Sequence, residues 1–164
     1  MIPGRVPMLV VDSLDEVAEV AASFGDDVVL IFDVDNTLAP QGADPDELGV
    51  LVEAAIERFE HDPAVGRVIV MTNGHQRGLT DVISSGNKPF TTRRRLGLHD
   101  GSAPVLVVGD QVLTDGLLAW RLRGTFLHLV VDEGSEDAQQ ARMRSLGRVV
   151  KPFLFRPAVA EADG

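Results

Sequence analysis

Apolar and polar positions fall into two alternating kinds of segment. The first kind is a short continuous apolar run: Val28 to Phe32, Val68 to Met71, Val105 to Val108 and Phe126 to Val131. Runs of this length without alternation suit strands covered on both faces. The second kind repeats its apolar residues at helical spacing. Ser13 with Glu16 reads as a capping box, opening a helix that carries Leu14, Val17, Val20 and Ala21 on one face and ends near Gly25. Asp44-Pro45-Asp46-Glu47 opens a second helix, with proline at its first position, which runs to Glu60 with Leu48, Leu51, Val52, Ala55, Ile56 and Phe59 inward. The same reading predicts a short helix over 79–83, one over 112–122 and a last one over 135–146. Val6 to Val11 predicts a short strand, placed at a sheet edge because Pro7 lacks a ladder donor.

Strands alternating with helices predict an α/β fold: a three-layer α/β/α sandwich around a mainly parallel, Rossmann-like sheet. With no repeat and no long linker, residues 1–150 are expected to form one domain. Residues 151–164 are expected to be a C-terminal tail with a disordered end.

Composition narrows the chemistry. The chain has 164 residues, no cysteine and a net charge of −10. Any metal must therefore be held by oxygen or histidine. The first 87 residues hold 4 Lys/Arg and 16 Asp/Glu, whereas residues 88–164 hold 11 and 9. The acidic balance argues against a nucleic-acid partner. No signal peptide and no run of membrane-spanning length is evident, so a cytoplasmic protein is expected.

In open parallel sheets, ligands bind beyond the carboxyl ends of the strands. The residues there are informative. Asp33 and Asp35 follow the first buried run, Thr72 and Asn73 the second, Gly109 and Asp110 the third, with Thr114 and Asp115 just beyond. Lys88 lies in a loop between two of these positions. If the strands are neighbours, four carboxylates converge, which calls for a cation, and oxygen-only ligands suit Mg²⁺. A hydroxyl, an amide and a lysine opposite suit a phosphate group. An aspartate nucleophile, a metal and a phosphate clamp together suggest phosphoryl transfer through an aspartyl-phosphate.

Asp33-Val34-Asp35-Asn36-Thr37-Leu38, Thr72, Lys88, and Gly109-Asp110 with Asp115 resemble, in order, the four motifs of the haloacid dehalogenase superfamily of phosphatases. The resemblance implies that fold, a phosphomonoester hydrolase activity, and roles for single residues. Asp33 would be the nucleophile, and Asp35 the acid that protonates the leaving oxygen and then the base that activates water. The Asp33 side chain, the Asp35 carbonyl and Asp110 would bind Mg²⁺. Thr72 and Lys88 would hold the phosphoryl oxygens, with Asn73 as a further donor. Asp115 would support the metal's water shell or orient Lys88, and Asn36 and Thr37 would shape the turn.

Members of this superfamily often carry a cap domain. The 39 residues from Asp33 to Thr72 and the 16 from Thr72 to Lys88 leave no room for one, so an open site is expected. Asp-Asn-Thr-Leu-Ala-Pro, Lys88-Pro89 and Gly109-Asp110-Gln111 through Thr114-Asp115 are similar to subclass IIIA, the YqeG-like branch that includes phosphatidylglycerophosphate phosphatases. This implies a phosphatidylglycerophosphate-like substrate. A small phosphorylated sugar or amino-acid precursor, with the site closed by oligomerisation, is the alternative, and a polynucleotide end phosphatase a further one. Two positions depart from the branch: Gln41, where an aromatic is common, and Thr72-Asn73-Gly74, where Ser-Asn-Asn is common. Arg93-Arg94-Arg95 is read as a solvated helix face or as a contact to an anionic membrane surface. His61, His75, His99 and His128 lack ligand-like spacing, and of these only His75 is expected near the site.

Overall fold

The computed structural model describes residues 4–40, 42–72, 83–84, 88–99, 103–130 and 138–157. Its elements, in order, are β1 (Val6–Val11), α1 (Leu14–Ser23), β2 (Val28–Asp33), α2 (Pro45–Glu60), β3 (Val65–Thr72) and β4 (Ile83–Ser84). A 3₁₀ turn (Arg93–Leu96), β5 (Val105–Gly109), a π turn (Val112–Gly116), α3 (Leu117–Leu122), β6 (Thr125–Leu129), α4 (Ala138–Leu154) and β7 (Phe155–Pro157) complete the chain. The strands form one seven-stranded sheet in the order β4-β3-β2-β5-β6-β1-β7. Every pairing is parallel. The protein is thus an α/β fold built on a parallel sheet.

β2 shows why its apolar run is continuous. It lies between β3 and β5, so both faces are covered. Val28, Leu30 and Phe32 join Val17, Ala21, Val52 and Phe59 from α1 and α2 in one core cluster. Val29 and Ile31 point the other way and join Leu118, Ala119 and Leu122 of α3 in a second. Alternate residues of one strand thus feed two cores, as the period of two requires.

The helix starts behave as their sequences predict. Ser13 accepts from the Glu16 N–H at 3.2 Å, and Glu16 reaches back to the Asp12 N–H at 2.7 Å. Asp44 accepts from the Asp46 N–H at 3.0 Å, with Pro45 in the first turn.

Four expectations are corrected. β1 is not an edge strand, because it pairs with β6 through 8–11 and with β7 through 6–8. Pro7 fits because it stands only in the β7 ladder. The segment from 151 is not the start of a tail: α4 continues to Leu154 and β7 joins the sheet. Residues 158–164 lie outside the described residues. The helix over 112–122 begins as a π turn and becomes α-helical only at Leu117. Ile83 is in strand β4 and does not end a helix; positions 79–82 of that expected helix, and 135–137 of the last one, lie outside the described residues.

Candidate active site at the carboxyl ends of β2, β3 and β5

The sheet register decides which residues meet. Asp33 stands opposite Met71, Phe32 opposite Val108, and Gly109 opposite His128. The ends of β2, β3, β5 and β6 are therefore level, and Asp33, Thr72 and Asp110 emerge at the same edge.

The chain leaves β2 through a tight turn. The Val34 carbonyl accepts from the backbone N–H groups of Thr37 at 3.2 Å, Leu38 at 3.0 Å and Ala39 at 3.1 Å, while Asn36 N–H donates to the Ala39 carbonyl at 2.8 Å. Val34, Leu38 and Ala39 are buried and pin the turn to the core. Asn36 adopts a left-handed backbone, φ +57°, which asparagine tolerates better than most residues. Its side chain bridges the strands: Nδ2 donates to Asp110 Oδ2 at 3.3 Å.

Lys88 is the centre of the charge arrangement. Its Nζ donates to Asp33 Oδ1 at 2.6 Å and to Asp115 Oδ1 at 2.9 Å. The Lys88 and Asp115 side chains are buried. Carboxylate oxygens of Asp33, Asp110 and Asp115 lie within 4.8 Å of one another. Burial, and then the Asp115 charge, push the Asp33 pKa up to about 7, against the pull of Lys88. Burial works against the Lys88 ammonium, but the Asp115 and Asp33 charges outweigh it and hold its pKa above 10.5.

Asp115 reaches this buried position through the π turn. Asp115 N–H and Gly116 N–H both donate to the Gln111 carbonyl, at 2.9 and 3.2 Å, and Asp115 Oδ2 accepts from the Gln111 N–H at 3.2 Å. Gly109 makes the space. A Cβ built there would lie 2.6 Å from the Asp115 Cβ and closer still to its carboxyl.

The residues singled out from sequence are placed as follows. Asp33, Asp110, Asp115 and Lys88 come together. Thr72 is buried at the end of β3, beside the β2 strand that carries Asp33. Asp35 lies in the turn, bridged through its backbone to Ala39, and its carboxylate is not one of the three in the cluster. Thr37 is buried within the turn, and its Oγ1 makes no hydrogen bond among the described residues. Asn73, Gln41 and His75 lie outside the described residues.

Two residues gain a place that their spacing did not suggest. His128 Nε2 is 3.1 Å from the Asp110 carbonyl oxygen, so a residue read as bland touches the loop that carries a cluster carboxylate. Its position at the end of β6, level with Gly109, is the signal that could have found it. Arg93 is not simply a solvated face: its Nη1 donates to the Leu122 carbonyl at 3.0 Å, while Arg94 and Arg95 are exposed.

No family model matches the chain, and no solved structure matches it. Over 124 residues, 73% of this chain, the sequence is 31% identical to the DNA-directed RNA polymerase subunit beta′ of Shewanella halifaxensis (strain HAW-EB4). The matched stretch is 8% of that protein, so the chain spans less than a tenth of the length of the curated relative it matches.

Proposed function

We propose that this protein is a Mg²⁺-dependent phosphomonoester hydrolase of the haloacid dehalogenase type, working through an aspartyl-phosphate on Asp33. One observation carries the reading: three carboxylates cluster within 4.8 Å of one another, and a single lysine pairs with two of them. With all four groups ionised the cluster has a charge of about −2, which a divalent cation cancels. The donor set is all oxygen, which fits Mg²⁺. Asp33, Asp110 and the Asp35 carbonyl would hold it, and it would offset the negative charge of the phosphate ester.

The residues supply the rest. Lys88 and Asp115 fix the rotamer of Asp33 and leave its second oxygen to attack phosphorus. As that bond forms, the ester P–O bond breaks and the leaving oxygen takes a proton from Asp35. Water then attacks the phosphoryl group, Asp35 takes its proton, and Asp33 is freed with inorganic phosphate as product. Thr72 and Lys88 donate to the phosphoryl oxygens as charge builds on them, with Asn73 as a further donor.

The substrate we favour is phosphatidylglycerophosphate or a similar ester. Phe90, two residues past Lys88, is exposed, and the Arg121 guanidinium carbon lies 5.8 Å from its ring centroid. An apolar ring and a cation together suit an amphiphilic, anionic leaving group. Such an enzyme would work in the cytoplasm, peripherally at the membrane. The alternative is a soluble phosphorylated sugar or amino-acid precursor. Comparing kcat/KM for phosphatidylglycerophosphate in mixed micelles with a set of phosphorylated metabolites separates the two. Asp33→Asn should abolish turnover of an aryl phosphate, and EDTA should stop it until Mg²⁺ is restored. Turnover by Asp33→Asn, or turnover in EDTA, overturns the mechanism.

A further inference from the structure

The Asp110–Gln111 peptide unit is held at both of its polar ends. Its carbonyl oxygen lies 3.1 Å from His128 Nε2, and its N–H donates to Asp115 Oδ2 at 3.2 Å. A carbonyl only accepts, so Nε2 carries a proton and donates. The peptide unit is planar, so its carbonyl and its N–H turn together. A series of hydrogen bonds therefore runs from the His128 ring through one peptide plane to Asp115. The other oxygen of Asp115 accepts from Lys88 Nζ at 2.9 Å, and the same Nζ donates to Asp33 at 2.6 Å. The ring itself is well anchored. It stacks on the buried Phe126 ring, with centroids 5.5 Å apart and 30° between planes. It stands on β6, which is paired on both sides, with β5 and with β1. His128 is in register with Gly109, so its side chain is on the face of the sheet where Gly109 leaves room for Asp115.

We propose that His128 is a positioning residue for the nucleophile: through the Asp110–Gln111 peptide it aims the Asp115 carboxylate at Lys88, and Lys88 in turn fixes Asp33. The bond from Gln111 N–H to a buried carboxylate is charge-assisted. A donor on the carbonyl of the same peptide polarises that N–H and strengthens the bond, as hydrogen bonds in series do. Without the donor the plane is free to turn, and Asp115 loses alignment with Lys88. His128 is thus the point where this corner is referenced to a strand other than its own, because the remaining bonds of Gln111 run to its own π turn. A ring that only filled space beside Phe126 would leave none of these consequences.

Two substitutions separate the donor from the ring. His128→Phe keeps a ring on Phe126 and loses the donor. His128→Gln loses the ring and keeps an N–H the same number of bonds from Cα. In metal-free protein, the Gln111 N–H should exchange with deuterium about tenfold faster in His128→Phe, measured relative to Leu30 and Ile31 of β2, and close to the parental rate in His128→Gln. His128→Phe should lower kcat on an aryl phosphate about tenfold with little change in KM, and His128→Gln should recover most of it. In the unsubstituted protein at pH 8, the imidazole nitrogen NMR shifts should place the ring proton on Nε2. A parental Gln111 exchange rate in His128→Phe overturns the proposal whatever kcat does. So does a neutral His128 with its proton on Nδ1, a result that needs no variant to fold. So does a kcat that follows the ring, kept in His128→Phe and lost in His128→Gln. The kcat comparison rests on the phosphatase reading, whereas the exchange and imidazole measurements do not. A parent without Mg²⁺-dependent turnover therefore overturns that reading, and the other two measurements still decide the role of His128.

Discussion

Lys88 Nζ donates to Asp115 Oδ1 at 2.9 Å, with the lysine side chain 1% and the aspartate 0% exposed. Neither group has access to water, so removing Lys88 strands Asp115, and removing Asp115 takes one of two carboxylate partners from a buried lysine, leaving it Asp33. Breaking a buried pair costs about 3–5 kcal/mol, chiefly through the uncompensated charge that remains. Asp115→Ala should therefore lower the unfolding free energy in urea by about 3 kcal/mol in metal-free protein. Asp33→Asn should act oppositely above pH 7, because it removes a carboxylate that burial and Asp115 disfavour while keeping an acceptor for Lys88. A stabilised Asp115→Ala, or a destabilised Asp33→Asn, would contradict this account of the cluster.

The opposite signs expected of two aspartates in one cluster mark what sequence can and cannot show. Val28 to Asp33 announced a covered strand, because a central parallel strand has no polar face to break the run, and the carboxylate cluster lies at its end. The helix starts at Ser13 and Asp44 were equally legible, since their signals are local. β7 was not: three residues are too few to carry a period, and Pro152 reads as a breaker although it lies in the last turn of α4. Pro7 therefore points to an edge for β1, and with β7 hidden nothing in the sequence counters it. His128 escaped for another reason. Its partner is a backbone carbonyl 18 residues earlier, and a carbonyl leaves no mark on the residue type. The depth of Asp115 depends on a π turn and on the missing side chain of Gly109, and helical periodicity reports neither.

Asp33 makes stability depend on pH. In the folded, metal-free protein its carboxyl keeps a proton up to about pH 7, whereas the unfolded chain releases it near 3.8. Between these values the native state binds more protons than the unfolded state, so stability falls as pH rises. The contribution is complete below 3.8 and gone above 7. Urea midpoints measured in EDTA across this range should fall, and Asp33→Asn should flatten the trend. If Asp33 holds the proposed Mg²⁺, saturating Mg²⁺ should raise the midpoint more at pH 8 than at pH 5, because the cation would compete with that proton. An equal Mg²⁺ effect at both values would remove Asp33 from the cation site.

Gly109 tests whether the Asp115 carboxyl must sit where it does. Its missing Cβ is the space into which that side chain packs, and β5 on one side with the π turn on the other limits the room to relax. Gly109→Ala should cost about 1–3 kcal/mol through overpacking. If the proposed mechanism holds, it should also lower kcat on an aryl phosphate more than it raises KM, because Lys88 loses one of its two carboxylate partners and with it part of its hold on Asp33. A variant with parental kcat would show that the position of Asp115 does not govern the nucleophile.

Asn36 joins two requirements in one residue: a left-handed backbone at φ +57° and a hydrogen bond from Nδ2 to Asp110 Oδ2 at 3.3 Å. Two substitutions separate them. Asn36→Gly keeps the turn, since glycine takes positive φ without steric cost, but loses the side-chain donor. Asn36→Ala loses the donor and adds a backbone penalty of about 1–2 kcal/mol. If Asp110 is a ligand of the proposed Mg²⁺, affinity by titration calorimetry should fall in both variants, because Asp110 loses a bond that draws it toward the end of β2. The urea midpoint should fall clearly only in Asn36→Ala. Equal stability losses would show that the side-chain bond, and not the left-handed turn, is what the fold requires of Asn36. Parental Mg²⁺ affinity in Asn36→Gly would show that Asp110 is positioned without it.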